Sequence, residues 1–298
     1  MYPGAESSGT TFNNSNAMYT RCMVERGDSP AQAQSSSGKF ARCRSELVGE
    51  CVHDGTRVHG SRGLGSERHS DGAQSALIRE WAGGPPYLFA VSDTRKFAGA
   101  DRSADIEVAE FVAPDAATHV VFNISELSTV ESKGDVTDHA IVVLHPYEQH
   151  ELETIRSAVA AGSVSRLFVL VWSPRDMVRA WLDGLGAIDL HTRDAAPAPD
   201  AFMFDAAKMI VRQEYNGLSS GHGKDTVVQL VRSFADNGYP VDVDAWVRAY
   251  FAAGGSFSYA ESLKKLVKAT QSGTRHRVKR RYRDDILDII RERAAPAD

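Results

Sequence analysis

Four short apolar runs punctuate the middle of the chain, at residues 87–91, 119–122, 140–144 and 167–172. Each run is continuously apolar rather than alternating, which is typical of strands covered on both faces in a parallel sheet. Between and after the last two runs, apolar positions recur at helical spacing over 151–162 and 177–184. Alternating strands and helices predict an α/β fold with a three-layer, parallel-type sheet. A further short strand is predicted at 188–190.

A different pattern follows the Ala- and Pro-rich connector at 194–200. Helical periodicity predicts four short helices, over about 225–236, 242–253, 258–271 and 284–293. Asp242 is placed to cap the second helix, and Ser258 with Glu261 forms a capping-box pattern at the start of the third. Short helices joined by short turns predict a small all-α domain at the C-terminus.

The first 75 residues contain 12 Ser and 10 Gly, and their apolar residues are isolated. Such a segment buries too little surface to offset the entropy of ordering, so we expect a disordered tail over 1–78. The alternative is a mis-annotated start, with translation beginning at Met18, Met23 or later. All three cysteines lie here, without a Cys-x-x-Cys pair, which disfavours a metal site or a disulfide framework. The predicted domains are therefore 1–78, an acidic α/β domain at 79–198 and a basic helical domain at 199–298.

Charge is distributed unevenly over a chain whose net charge is −5. Residues 76–200 carry 10 basic and 19 acidic side chains, net −9, whereas residues 201–298 carry 16 and 12, net +4. No apolar run is long enough to span a membrane, and no secretory signal pattern is present. We therefore expect a cytoplasmic protein without a membrane partner. Arg outnumbers Lys by 25 to 9, which is compatible with a GC-rich, bacterial coding sequence.

The densest positive charge lies near the C-terminus, and two groups of cations contribute to it. Three lysines share one face of the third helix: Lys264, Lys265 and Lys268. If the following segment is an extended basic strand, five cations project from one side of it: Arg275, Arg277, Lys279, Arg281 and Arg283. Over about 60 residues this pattern resembles a winged helix-turn-helix, with the third helix in the recognition position. The resemblance implies contact with DNA or RNA phosphates, whereas the alternative is a solvated face or one that balances the acidic domain.

A glycine-rich loop before the first of these helices is a second candidate site. The candidate phosphate-binding residues are Ser219, Ser220, Gly221, Gly223 and Lys224. The loop departs from a nucleoside-triphosphate loop, because Leu218 stands where the first Gly belongs and Asp225 replaces the Ser or Thr. The free N–H groups of the next helix would still favour an anion, such as a phosphorylated small molecule. The alternative is a flexible interdomain loop.

Polar residues at the ends of predicted strands form the third candidate site. Asp93, His145 and Asp176 follow three of the strands. Ligands of open α/β sheets bind outside the carboxyl ends of the strands, so these side chains are candidates for general acid-base catalysis. The alternative is that they cap the helices that follow.

These observations favour a nucleic-acid-associated protein with a ligand-binding α/β domain and a helical domain that contacts phosphates. Two alternatives remain open. One is a hydrolase or transferase that acts on a nucleotide or nucleic acid with Asp93, His145 and Asp176. The other is a protein-interaction module without catalysis, in which the 275–283 segment is buried in an interface. The sequence identifies no cofactor and does not decide whether the protein is an enzyme.

Overall fold

The computed structural model describes residues 19–25, 76, 78–81, 87–98, 106, 109, 110, 112, 113, 119–127, 140–144, 146, 148–162, 164, 166–171, 176–190 and 192–294. The strands are β1 (Tyr19–Glu25), β2 (Tyr87–Val91), β3 (His119–Asn123), β4 (Ala140–Leu144), β5 (Arg166–Val171), β6 (Ile188–Asp189) and β7 (Asp194–Ala195). The helices are α1 (Thr94–Ala98), α2 (Gln149–Ala161), α3 (Met177–Gly184), α4 (Ala201–Val211), α5 (Gly221–Asp236), α6 (Val243–Ala252), α7 (Phe257–Gln271) and α8 (Ile286–Ala294).

Four parallel strands and the antiparallel edge strand β1 form a five-stranded sheet whose order is β1-β5-β4-β2-β3. The predicted α/β class and the four predicted strands are confirmed. Along the chain β2 is followed by β3 and then by β4, and these two strands lie on opposite sides of β2 in the sheet. The strand order therefore reverses between β2 and β4, where open α/β sheets form a crevice.

Alternate residues of each central strand enter different hydrophobic clusters, one on each face of the sheet. Leu88 and Ala90 of β2 lie in the cluster that includes α2 and α3, whereas Phe89 and Val91 lie in the opposite one. The opposite cluster also includes Ile78 and Val112, both in helical segments. Both faces of the sheet are thus covered, which explains why its strands are continuously apolar.

Regular elements occur within residues 1–78, the segment for which we expected a disordered tail. The strand β1 pairs antiparallel with β5, and Tyr19 is in register with Val171. A helical segment at 78–81 begins at the end of the predicted tail. The three cysteines and both alternative methionines lie in this part of the chain, most of which falls outside the described residues. A strand that pairs with the edge of a distant sheet leaves little trace in local composition.

The C-terminal helices pack on α2 and α3. The rings of Trp181 in α3 and Phe257 in α7 meet edge to face with centroids 5.7 Å apart. At Gly184, an added Cβ would lie 2.6 Å from the carbonyl oxygen of Arg248, so glycine permits close approach of α3 and α6. One hydrophobic cluster consequently runs from the sheet through α2 and α3 into the C-terminal helices.

Several predicted element boundaries in the C-terminal region are wrong. A helix absent from the prediction, α4, follows the connector, and the carboxylate of its N-cap Asp200 accepts a hydrogen bond from the Phe202 amide at 2.6 Å. The next helix, α5, begins at Gly221, four residues before the predicted start. Asp242 caps α6 as expected, accepting from the amide of Asp244 at 2.8 Å. No helix among the described residues combines the length and apolar character needed to cross a membrane.

Candidate nucleic-acid interface

Residues 275–283, here called the cationic strap, lie across α5 and are held there by one amide side chain. The Gln229 side-chain oxygen accepts hydrogen bonds from the backbone N–H groups of Arg281 at 2.7 Å and Tyr282 at 3.2 Å. Its amide nitrogen donates to the carbonyl oxygen of Lys279. A single side chain therefore satisfies three backbone groups of a segment that belongs to no helix or strand.

Two further contacts fix the ends of the cationic strap. Arg232 donates from Nη2 to the carbonyl oxygen of His276 at 3.1 Å. The Tyr282 hydroxyl lies 3.2 Å from Oγ1 of Thr226, which is fully buried in α5. Val278 and Tyr282 also pack against the hydrophobic cluster. The strap is thus anchored along its length to a helix of the core.

Exposure alternates along most of the cationic strap, and Arg280 is the exception. The five odd-numbered cations from Arg275 to Arg283 are exposed, whereas His276, Val278 and Tyr282 are half-buried. The prediction that this segment is a strand is wrong, because its backbone groups bond to side chains of α5 rather than to another strand. The predicted period of two holds for the exposed odd-numbered cations and the half-buried His276, Val278 and Tyr282, but not for Arg280, which is exposed.

Most of these cations lack an acidic neighbour. Arg283 pairs with Asp285 at 2.8 Å, and the even-numbered Arg280 pairs with Asp284 at the same distance. Within the part of the chain that the structure describes, no carboxylate lies within ion-pair distance of the four remaining odd-numbered cations: Arg275, Arg277, Lys279 and Arg281. Their charges are available to an external anion.

The imidazole of His276 lies beneath this row of charge. Burial lowers the pKa of His276 below its usual range, and the positive charges of Lys224 and Arg232 lower it further. The Nε2 atom is buried without a hydrogen-bond partner among the described residues. The folded strap therefore favours the neutral form of His276 more than the unfolded chain does.

The three lysines of α7 have unlike surroundings. Lys265 and Lys268 are exposed, as predicted for a phosphate-contacting face. Lys264 is half-buried and lines a groove between α3 and α6 together with Asp176, Asp242 and other charged residues. Lys264 therefore lies in a partly acidic setting that the sequence pattern did not predict.

The first turn of α7 faces the α/β domain. The Glu153 carboxylate of α2 accepts hydrogen bonds from the Ser258 backbone N–H at 2.9 Å and from its hydroxyl at 3.2 Å. Gln149, also on α2, donates to the Ser258 hydroxyl at 3.1 Å. The predicted capping box with Glu261 is wrong: the N-cap is Ser256, and a carboxylate from another helix supplies the acceptor.

The glycine-rich loop forms the N-terminal end of α5 rather than a cradle in front of it. Ser219 and Ser220 are exposed, whereas Gly221, Gly223 and Lys224 belong to the first turn of the helix. A Cβ on Gly223 would lie 2.0 Å from the carbonyl oxygen of Gly217, so the glycine is required by packing. Anion binding by this end remains a prediction.

The strand-end candidates occupy separate local settings. The Asp93 carboxylate accepts hydrogen bonds from the backbone amide of Arg95 at 2.9 Å and from its Nε at 3.3 Å, at the start of α1. Asp176 is the exposed N-cap residue of α3. The strands that precede these two residues, β2 and β5, are separated by β4. His145 lies outside the described residues.

Gln229, Arg232 and Tyr282 were not singled out from the sequence. Gln229 and Arg232 are the polar positions of an amphipathic helix, where solvated side chains are usual. The one signal in the sequence was the alternation of apolar and basic residues after 274, which implied that something must cover Val278 and Tyr282.

Among the residues that the structure describes, no group of three or more His, Cys, Asp or Glu side chains could hold a metal ion. Comparisons with protein-family models, with curated protein sequences and with solved structures found no match to this chain.

Proposed function

We propose that the protein binds the phosphate backbone of nucleic acid through the cationic strap. The observation that carries this proposal is the row of exposed cations from Arg275 to Arg281 without acidic partners, on a segment that Gln229 holds in place. A surface charge cluster that served only to stabilise the fold would have carboxylates opposite it. Holding the backbone in advance lowers the entropy lost on binding.

The side chains of the strap are suited to contact phosphates rather than to recognise particular bases. Alternate residues of an extended chain are about 6.6 Å apart, a spacing that would set the odd-numbered cations of the strap in one row. Binding should therefore depend steeply on salt and weakly on sequence. Lys265 and Lys268 of α7 extend the same function as a second basic element.

The proposal keeps the phosphate contacts that the resemblance to a winged helix-turn-helix implies, but not the contacts of a recognition helix with bases. In that motif the N-terminal residues of the recognition helix contact base edges in the major groove. Here the hydrogen bonds from Ser258 to Glu153 point the first turn of α7 at α2. We therefore assign contact to the strap and to the exposed lysines, and we do not assign base readout to the start of α7.

The α/β domain is proposed to bind a small ligand at the crevice between β2 and β4, where the strand order reverses. A phosphorylated small molecule remains the predicted class. No observation on the described residues favours the hydrolase or transferase alternative, because Asp93 accepts hydrogen bonds at the start of α1. The exposed odd-numbered cations of the strap argue against the interaction-module alternative in which the strap is buried against the rest of this chain, and docking on another protein stays a prediction.

The proposal is tested by titrating the full chain with a labelled DNA duplex and an RNA hairpin at about 50 mM and about 200 mM salt. We expect binding at low salt that weakens steeply as salt rises. Absence of binding to both at low salt would overturn the proposal. Lys265→Ala/Lys268→Ala should weaken binding to all sequences equally, and Lys264→Ala should have a smaller effect.

A further inference from the structure

A groove of about 440 Å³ lies between the cationic strap and the C-terminal half of α5. Arg232 and Ser233 of α5 and its C-cap residue Asn237 line one side, and Val278, Tyr282 and Arg283 of the strap line the other. Two carboxylates, Asp236 and Asp284, also line the groove, and Asp284 is paired with Arg280. This volume falls within the range of about 300–1,000 Å³ found for small-molecule sites. The groove thus combines arginine side chains with an aromatic ring on the surface that we propose to bind nucleic acid.

Arg232 has hydrogen-bonding capacity to spare in this groove. The side chain is half-buried, and one of its nitrogens donates to the carbonyl oxygen of His276. Among the described residues, no carboxylate lies within ion-pair distance of its guanidinium. A guanidinium presents five N–H donors in a planar fork that matches a phosphate. Arg232 can therefore hold a phosphate while it remains attached to the strap.

The other lining groups suit a nucleobase. The hydroxyl of Tyr282 is tied to Thr226, which fixes the orientation of a ring that lines the groove with Val278. On the opposite rim the Asn237 amide nitrogen donates to the carbonyl oxygen of Ser233 at 2.9 Å. Its Oδ1 and the Ser233 hydroxyl are available to the polar edge of a base. Bases stack on aromatic rings and bond through their edges only where they are unpaired.

We infer that this groove binds one nucleotide unit of a single strand, with its phosphate on Arg232 and its base against Tyr282. The inference rests on the proposed function of the strap and adds a ligand class to it. Because a paired base cannot enter the groove, the protein should bind single strands more tightly than duplexes of equal charge.

The probes are adenosine 5′-monophosphate, adenosine and inorganic phosphate, each titrated calorimetrically into the full chain. We expect the monophosphate to bind more tightly than adenosine or phosphate. Arg232→Gln should weaken monophosphate binding by about tenfold or more, the loss of a charge-assisted hydrogen bond. Arg212→Gln, an exposed arginine of the same domain that does not line the groove, should leave it unchanged.

The same variants are then titrated with a single-stranded oligonucleotide and its duplex. We expect Arg232→Gln to weaken single-strand binding by about tenfold or more beyond any loss of duplex binding, because the duplex loses only the strap contact to His276. If Arg232→Gln does not fold, Arg232→Lys, which keeps the charge but not the planar fork, should weaken monophosphate binding with duplex binding retained.

The failure of the groove and the failure of the strap give different results. Two results would overturn the inference about the groove and leave the proposed function of the strap intact. One is adenosine monophosphate that binds no better than inorganic phosphate. The other is an Arg232→Gln variant whose binding to the single strand and to the duplex falls by the same factor. A wild-type chain that binds neither oligonucleotide at low salt would overturn the proposed function of the strap.

Discussion

The carboxylate of Glu153 in α2 accepts a hydrogen bond from the backbone N–H of Ser258, 105 positions later in the chain and at the start of α7. The same carboxylate lies 2.7 Å from Nε of Arg156. The Nη1 atom of Arg156 donates to the carbonyl oxygen of Gly254 at 3.4 Å. The C-terminal helices are therefore joined to α2 by polar contacts at a helix end as well as by the shared hydrophobic cluster.

Glu153→Ala should lower the free energy of unfolding by about 1–2 kcal/mol, because the first turn of α7 loses its acceptor. Glu153→Gln keeps an acceptor oxygen and should recover part of the loss. Chemical denaturation measures both, and Glu261→Gln on the exposed side of α7 is the matched control. Equal stability of Glu153→Ala and the wild type would show that the contact contributes nothing.

Gln229→Ala should release the cationic strap, because three backbone groups lose their partner at once. Hydrogen exchange at the amides of Arg281 and Tyr282 should accelerate, and trypsin should cleave faster after the strap arginines. Gln229→Glu retains an acceptor for both amides but repels the Lys279 carbonyl, so an intermediate effect is expected. Unchanged exchange in Gln229→Ala would mean that another contact holds the strap.

Replacing three strap cations should change the salt dependence of nucleic-acid binding. In Arg277→Gln/Lys279→Gln/Arg281→Gln, the slope of log K against log salt for duplex DNA should fall by up to about 0.9 for each phosphate that the strap no longer neutralises. The control Arg212→Gln/Arg291→Gln/Arg293→Gln removes the same charge from exposed arginines of α8 and the end of α4. If the slope falls equally in both triple variants, the effect of the strap substitutions is explained by net charge alone.

His276 should make stability depend on pH. Its pKa is lowered in the folded protein, chiefly by burial, so the unfolded chain binds a proton more readily. Its stabilising effect is therefore complete above the unfolded pKa of about 6.5 and is lost as the pH falls below it. Thermal melts from neutral to mildly acidic pH should show this loss, and His276→Gln should flatten it. His222→Gln, an exposed histidine, should retain the wild-type slope.

Gly223→Ala tests whether the glycine-rich turn serves packing. The added methyl group would lie 2.0 Å from the Gly217 carbonyl oxygen, and shifting this backbone should cost about 1–3 kcal/mol or more. Ser219→Ala and Ser220→Ala remove exposed hydroxyls and should change stability by less than about 0.5 kcal/mol. A Gly223→Ala protein as stable as the wild type would contradict the packing role.

Residues 87–91, 140–144 and 177–184 form the elements that their sequence predicts, and the strap from Arg275 to Arg283 alternates as predicted except at Arg280. These features follow from local periodicity, because the side-chain period of an extended chain or a helix is fixed by backbone geometry. The helix α4 was missed although Asp200 stands in capping position, because its residues are apolar nearly throughout and show no clear helical period.

Tertiary structure alone decided the partners of these elements. The pairing of β1 with β5, the reversal between β2 and β4, and the hydrogen bond between Glu153 and Ser258 join residues far apart in the chain. Their formation depends on which apolar faces pack together, and no short window of sequence contains both partners. For the same reason the sequence could supply the cations of the strap but not the helix that holds them or the groove beside Arg232.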